Sequence, residues 1–276
     1  RHLMCVAIVE KGGRITPDDF AKVLREKMNP RRLWKNETIT LMKIQQGMNP
    51  WWETGRGTIP AGCATMAIAP VGIINAGDPA QAYEDGFCIG SVNQDGNNRD
   101  LAATFAAGVA AAFAPDASED TVIEAMLRYS DNLSWRALRM SLDLATTCRD
   151  VDEYAQRFYD SPLLDWSWPR GMAREKYDYK SHMSGNSIEF IPAVAAILML
   201  CRGNPEQALI EGAGFGRDCD TIASCCGNLM GALYGASALP DRWIEQSEQA
   251  NADIFEEVSG SAEDQLHKMA GHLVGA

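Results

Sequence analysis

The sequence predicts an all-α protein. Apolar residues recur at the three- and four-residue spacing of a helix in several segments, and these segments begin with residues that cap helices. No convincing run alternates apolar and polar residues as a strand does, and no hairpin dipeptide separates two such runs. The chain has 276 residues, of which 46% are hydrophobic, enough to bury one sizeable core. A single domain over residues 1–276 is the simplest prediction.

The clearest helix follows Thr16. The threonine can cap the first turn, Pro17 suits the first helical position, and Asp18 and Asp19 favour the positive end of the helix dipole. Four apolar residues then recur at helical spacing, and a proline closes the segment at position 30. These features predict a helix from the capping threonine to the residues before that proline.

A buried helix is predicted within residues 97–118. Leu101, Phe105, Val109 and Phe113 step by four along a segment that is otherwise rich in alanine and glycine. Such small residues permit close contact between helices, which places this helix at the centre of the protein.

The remaining chain divides into further helices and two irregular segments. Helices are predicted at 78–92, 119–129, 133–147, 151–159, 187–201, 205–213, 220–235, 240–249 and 252–270. Asn186 and Glu189, at the start of one of them, are expected to be caps and residues at the protein rim rather than catalysts. The segments 47–79 and 159–187 are predicted to be non-helical, and long irregular segments in compact domains often form binding loops or lids.

The net charge argues against two classes of partner. The formal charge is −12 and the pI is about 4.8, so the protein repels nucleic acid and anionic membranes. We expect neither partner, and no apolar run is long and uniform enough to span a membrane. None of the eight cysteines forms a Cys-x-x-Cys pair, which favours reduced thiols and a cytoplasmic location.

The stretch GFGRDCDTIAS, residues 214–224, places two acids and a hydroxyl at the start of an apolar helix. Asp218, Asp220 and Thr221 are followed by glycines that share one face and are expected to let another helix approach closely; these glycines are Gly227, Gly231 and Gly235. Two close carboxylates raise each other's pKa, and a hard divalent cation removes that penalty. Helix capping needs only one acid, so local chemistry leaves a cap and a metal site equally open.

Residues 215–245 resemble the C-terminal signature of the ADP-ribosylglycohydrolase family. A glycine-rich turn leads into Asp-x-Asp-Thr, an apolar helix, and a segment with Leu239, Pro240 and Trp243. The stretch IPAGCATMAIAPVGIINAGDPAQAY (59–83) is similar to the family's substrate loop, and residues 1–24 are similar to one of its helix pairs. The resemblance runs in the expected order from residue 1 to about residue 245.

This resemblance implies a fold and a reaction. The fold is an orthogonal multi-helix bundle around a metal centre, with two Mg²⁺ ions and Mn²⁺ as a substitute. The reaction is hydrolysis of an N- or O-glycosidic bond at C1 of a ribose, as in the removal of ADP-ribose. Asp218, Asp220 and Thr221 are implied as metal ligands, and Asp218 is also implied to orient or deprotonate the attacking water.

The resemblance also implies substrate-binding residues. Gly62, Cys63 and Ala64 offer backbone N–H groups to a phosphate or ribose, and Asn93 stands where many members carry a histidine. Arg217 precedes the acidic pair where glycine is common; it either binds a phosphate or carboxylate of the substrate or pairs with an acid, and both alternatives stay open.

Departures from the family pattern define the alternative functions. The family's other metal ligands, a Thr-Asp-Asp motif, are expected immediately before Arg1, outside these 276 residues. Ala67 stands where many members carry an arginine. The departures favour a small nucleoside or ribosylated metabolite over a modified protein as substrate. A non-catalytic ligand-binding relative of the same fold is the alternative from another class.

Overall fold

The computed structural model describes residues 1–163, 166 and 185–252. Within these residues it contains fourteen α-helices, two short 3₁₀ turns and no β-strand, which confirms the all-α prediction. Most of the predicted irregular segment 159–187 lies outside the described residues, as does the predicted helix at 252–270 apart from its first residue. No helix among the described residues combines the length and the apolar composition that a membrane crossing needs.

The helices are numbered in their order along the chain. They are α1 (His2–Lys11), α2 (Pro17–Lys27), α3 (Lys35–Gln45), α4 (Cys63–Ala67), α5 (Ala69–Ile74), α6 (Pro79–Gly90), α7 (Gly96–Ala111), α8 (Glu119–Arg128), α9 (Asn132–Ala145), α10 (Val151–Tyr159), α11 (Ser187–Leu200), α12 (Pro205–Gly214), α13 (Cys219–Tyr234) and α14 (Asp241–Ala250). The predicted start of α2 is confirmed, because the backbone N–H of Asp19 donates to Thr16 Oγ1 at 3.3 Å within a capping box.

Three helices were not predicted, and two of them lie in the segment expected to be irregular. α4 and α5 are only 5 and 6 residues long and are buried on most sides, so neither shows the one-sided apolar pattern that reveals a surface helix. α3 buries two polar residues, Asn36 and Thr40, on its inner face. The prediction that 47–79 is non-helical is therefore wrong for residues 63–74.

α7 forms the centre of the hydrophobic core, as predicted. Leu101, Phe105 and Val109 are almost completely buried, and the helix packs against α4, α5, α6, α8 and α11. It ends at Ala111, and Phe113 beyond it is 42% exposed, contrary to its predicted place on the buried face. The helix stops before Pro115, four residues after Ala111, because a proline cannot continue a helix and disfavours the helical conformation of the residue before it.

α13 packs closely on α12, but the close approach uses a different glycine from those expected. A Cβ atom at Gly212 of α12 would lie 2.9 Å from the Cα atom of Ala223. Gly227 has only ordinary contacts, no described residue lies within 4 Å of a Cβ atom placed at Gly231, and Gly235 is the residue that ends α13. The predicted glycine face on α13 is therefore wrong, and the glycine that the contact requires lies on the partner helix.

Candidate functional site

The turn before α13 adopts an unusual backbone conformation. Arg217 has a φ of 50°, and it is the one non-glycine residue with positive φ in the part of the chain that the structure describes. The left-handed region costs a residue with a Cβ atom about 1–2 kcal/mol. Such strain persists where surrounding contacts hold the residue in place.

Glu189 of α11 supplies that contact. Arg217 donates from Nε to Glu189 Oε1 and from Nη2 to Oε2, the second bond at 3.2 Å. Glu189 is only 4% exposed, so its prediction as a rim residue is wrong, whereas Asn186 caps α11 as expected by accepting from the N–H of Ile188. Of the two alternatives left open for Arg217, the structure shows the pairing with an acid.

Asp218 occupies the N-cap position of α13 but does not cap it. Its side chain accepts no hydrogen bond from the first-turn N–H groups; instead Thr221 Oγ1 donates to Asp218 Oδ1 at 3.1 Å. The pKa of Asp218 is raised to about 6, chiefly by burial; the Thr221 hydrogen bond opposes the rise, and the charges of Asp220 and Glu189 contribute to it. Helix capping therefore does not account for this carboxylate.

The donor set at this helix end suits a hard divalent cation. Asp220 is exposed in the first turn of α13 and Thr221 is 5% exposed beside Asp218, so all three residues offer oxygen atoms. In residues 1–163, 166 and 185–252, no group of three or more His, Cys, Asp or Glu side chains is arranged to hold a metal ion. The three residues fit a cation by chemistry and charge, and by themselves they would be only part of a ligand set.

Two glycines bring the predicted substrate loop next to Asp218. A Cβ atom at Gly62 would lie 2.3 Å from ring carbons of Phe190 and 3.2 Å from the carbonyl oxygen of Gly185. Gly185 has a φ of 109°, and a Cβ atom there would lie 2.9 Å from Asp218 Oδ2. Because neither position has room for a side chain, the start of α4, the start of α11 and Asp218 meet at one place.

Buried hydrogen bonds hold these elements together. Thr65 of α4 and Ser187 of α11 share a hydrogen bond of 2.8 Å between their hydroxyl groups. The backbone N–H of Ser187 donates to Asn98 Oδ1 of α7 at 2.9 Å. The central helix therefore fixes α4 relative to α11.

Asn36 and Gln94 position the loop that leads into α4, and sequence reasoning missed both. Asn36 donates from Nδ2 to the carbonyl oxygen of Ile59 at 2.8 Å and accepts from the Ile59 N–H at 3.0 Å. Gln94 accepts from the Ala61 N–H at 3.3 Å. Both amide side chains are at most 1% exposed. Both amides stand among polar residues in the sequence, and their partners lie 23 or 33 residues away, so no local pattern revealed either role.

Cys63 and Asn93 line a cleft of about 190 Å³ between α1, α2, α3 and α4. The Cys63 thiol is buried against Asn36, with 3.7 Å between Sγ and Nδ2. Burial raises the pKa of Cys63 to about 12 and the charge of Glu37 adds to the effect, so the thiol is not a nucleophile. Ala64 is 3% exposed. Gly62 precedes Cys63 of the cleft and lies close to Gly185, which in turn lies close to Asp218, so the cleft is near the start of α13.

Arg1 links α4 directly to α13. Its Nη2 atom donates to the carbonyl oxygen of Met66 at 2.9 Å and to Ser224 Oγ at 2.6 Å. The structure therefore brings two predicted groups of site residues near each other: the start of α4, with the cleft beside it, and the start of α13.

Comparison with known proteins gives a match that includes both groups of site residues. A family model described as ADP-ribosylglycohydrolase matches residues 2–275. A relative from Archaeoglobus fulgidus, described only as an uncharacterized protein, is 25% identical over 237 residues, which cover 83% of this chain and 67% of the relative. The family match includes the α4 loop, the start of α11 and the whole of α13.

Proposed function

Because the chain belongs to the ADP-ribosylglycohydrolase family, we propose that it hydrolyses a glycosidic bond at C1 of a ribose and requires magnesium. Family membership itself indicates a glycohydrolase; the metal and the substrate are the proposal. One observation carries it: Asp218 occupies a helix N-cap without capping the helix, beside a second acid and a glycine-lined loop. A half-buried carboxylate whose pKa is raised toward neutrality is characteristic of a functional site.

Asp218, Asp220 and Thr221 would hold the metal. When bound, Mg²⁺ or Mn²⁺ supplies the positive charge that lets an acidic protein bind an anionic ribosyl group and stabilises charge that develops at the reacting oxygen atoms. A second ion needs ligands beyond these three residues, and the Thr-Asp-Asp motif implied by the family resemblance is the proposed source.

Asp218 is the proposed base. Its Oδ1 atom is occupied by the Thr221 hydroxyl, whereas Oδ2 lies beside Gly185, where no side chain intervenes. Oδ2 is therefore the oxygen that orients the attacking water and accepts its proton. Gly185 lies close to both Asp218 Oδ2 and Gly62 of the α4 loop, and attack on a ribose bound at this loop needs the proton's acceptor nearby.

The substrate would contact the start of α4 and the cleft beside it. The first backbone N–H groups of a helix have no partner within that helix, so Gly62, Cys63 and Ala64 are proposed to donate to a phosphate or ribose oxygen. Asn93 would contribute its amide from the wall of the cleft. Arg217 is bound to Glu189, so the proposal assigns it no substrate contact.

Asp220→Asn tests the proposal against a matched control. Asp220 and Asp152 are both exposed and both stand second in their helices, α13 and α10. With Mg²⁺ and an ADP-ribosylated protein, an ADP-ribosyl small molecule or a nucleoside as substrate, Asp220→Asn should lower kcat/KM by at least about tenfold, as loss of a metal ligand or its support does. Asp152→Asn should have no effect. Full turnover in Asp220→Asn would reject the site.

A small ribosyl compound is the second candidate for the substrate. The cleft of about 190 Å³ is smaller than the roughly 300–1,000 Å³ of common ligand pockets, and Ala67 stands in its wall where many members carry arginine. In the same assay, turnover of a nucleoside with none of the modified protein would favour this candidate. Binding without turnover of any substrate would favour a non-catalytic relative. The cytoplasmic location and the absence of nucleic-acid binding stay predictions.

A further inference from the structure

The ion pair between Arg217 and Glu189 lies next to Asp218. Its two side chains are 16% and 5% exposed, and both guanidinium–carboxylate bonds are made. The pair joins the turn before α13 to the first turn of α11.

Stability alone is a poor explanation of this pair. Burying two charges costs as much as their attraction returns, and apolar replacements of buried pairs are often neutral or stabilising. At the same position a glycine would adopt a φ of 50° without the strain that arginine bears. The pair is unfavourable on both counts, and what it gains is a fixed conformation.

The conformation that it fixes includes three parts of the site. α11 begins beside Gly185, whose Cα faces Asp218 Oδ2, and the residue after Glu189 is Phe190, whose ring packs on Gly62. A shift of Arg217 away from Glu189 would therefore move Asp218 relative to both Gly185 and the α4 loop.

We propose that Glu189 and Arg217 are positioning residues, whose ion pair holds the turn at residue 217 and so keeps the Asp218 carboxylate beside Gly185 and the α4 loop. The inference rests on the proposed function and deepens it, because it assigns Arg217 to the geometry of the site. A direct contact of Arg217 with a substrate phosphate is the competing assignment.

Kinetics of Glu189→Gln, Arg217→Gln and the double variant distinguish the two assignments. Positioning predicts that each single variant lowers kcat by a similar factor, about 10- to 100-fold as for other residues that orient a site, with little change in KM. It also predicts that the double variant is no worse than the more severe single variant, because both changes remove one interaction.

Glu119→Gln is the matched control. Glu119 is also a buried glutamate, 5% exposed, and it contacts α13 through Tyr234, the last residue of that helix. The 16 residues of α13 place this contact about 24 Å from Asp218, at 1.5 Å per residue. Glu119→Gln should leave kcat unchanged.

A different kinetic pattern would overturn the proposal. If Arg217 binds the phosphate, Glu189→Gln releases the arginine and leaves kcat intact, while Arg217→Gln raises KM. If the double variant lowered kcat by the product of the two single-variant factors, this would also contradict a shared role.

Amide hydrogen exchange separates this inference from the proposed function. Both single variants should speed exchange in residues 214–222, and Glu119→Gln should not. Unchanged exchange there in Glu189→Gln would reject the positioning role. Absence of turnover by the unmodified protein on every ribosyl substrate would reject the proposed function and leave this exchange readout valid.

Discussion

A carboxylate lies at each end of α13, and the fold shifts the pKa values of the two carboxylates in opposite directions. At the C-terminal end, Glu119 accepts hydrogen bonds from the Tyr234 hydroxyl at 2.5 Å and from the Gly203 N–H at 2.8 Å. Burial tends to raise the pKa of Glu119, but these bonds outweigh it and the pKa is lowered. These contacts thus favour the ionised form of Glu119.

At the N-terminal end the described residues compensate the charge of Asp218 only in part, through the Thr221 hydroxyl. The pKa of Asp218 is raised to about 6, chiefly by burial, with a contribution from two neighbouring acids and one opposing hydroxyl. The comparison teaches that burial of an acid does not by itself mark a function, since the Glu119 side chain is only 5% exposed and is nevertheless compensated. The mark is a partly buried acid whose pKa the surrounding described residues raise rather than lower.

Asp218→Asn should separate function from stability most strongly. As the proposed base, its loss should lower kcat by about 10²- to 10⁴-fold. The free energy of unfolding should stay the same or rise, because the change removes a half-buried charge beside two other acids and keeps an oxygen for Thr221. Urea unfolding and steady-state kinetics on the same sample check both statements. Retained activity with a marked loss of stability would make Asp218 a structural residue.

Glu119→Ala should give the opposite pattern. Removal of the carboxylate leaves the Gly203 N–H and the Tyr234 hydroxyl without their acceptor, which should lower the free energy of unfolding by about 1–3 kcal/mol. Glu124→Ala, an exposed position on the same helix, should change it by no more than about 0.5 kcal/mol. Turnover at saturating substrate should be unaffected in both variants. A fall in kcat with Glu119→Ala would show that the two ends of α13 are coupled.

The pH dependence of stability should follow the lowered pKa of Glu119. Its ionised form contributes stability that is present above the ordinary glutamate pKa of 4.5 and is lost as the pH falls through the lower folded value. Glu119→Gln cannot titrate, so between about pH 5 and acid unfolding its stability should fall less steeply than that of the unmodified protein. Urea midpoints measured across this range test the slope; identical slopes would mean that the carboxylate gains nothing from its bonds.

The same contrast explains how far sequence reasoning reached. The cap at Thr16 and the acids at 218 and 220 were predicted because each pattern is complete within a few consecutive residues. The Glu119–Tyr234 and Glu189–Arg217 contacts join residues 115 and 28 positions apart, and no local pattern encodes such a pairing. Metal binding and the substrate contacts stay predictions.

Helix prediction failed for a related reason. α4 and α5 are short and buried, so their apolar residues show no preferred face from which a period can be read. The sequence alone therefore located the start of α13 but not the short helix that the structure brings beside it.

Gly231→Ala should produce the smallest change, and a favourable one. Gly231 lies in the C-terminal half of α13 and a Cβ atom there would meet nothing within 4 Å. Alanine in a helix interior is more stable than glycine by about 0.5–1 kcal/mol, so the free energy of unfolding should rise by that amount. Thermal unfolding of this variant beside Gly212→Ala gives the check, because a Cβ atom at Gly212 would press on the backbone of Ala223 and should lower stability. A loss of stability in Gly231→Ala would mean that a further surface packs on this face of α13, which would restore the close approach that the glycine spacing first suggested.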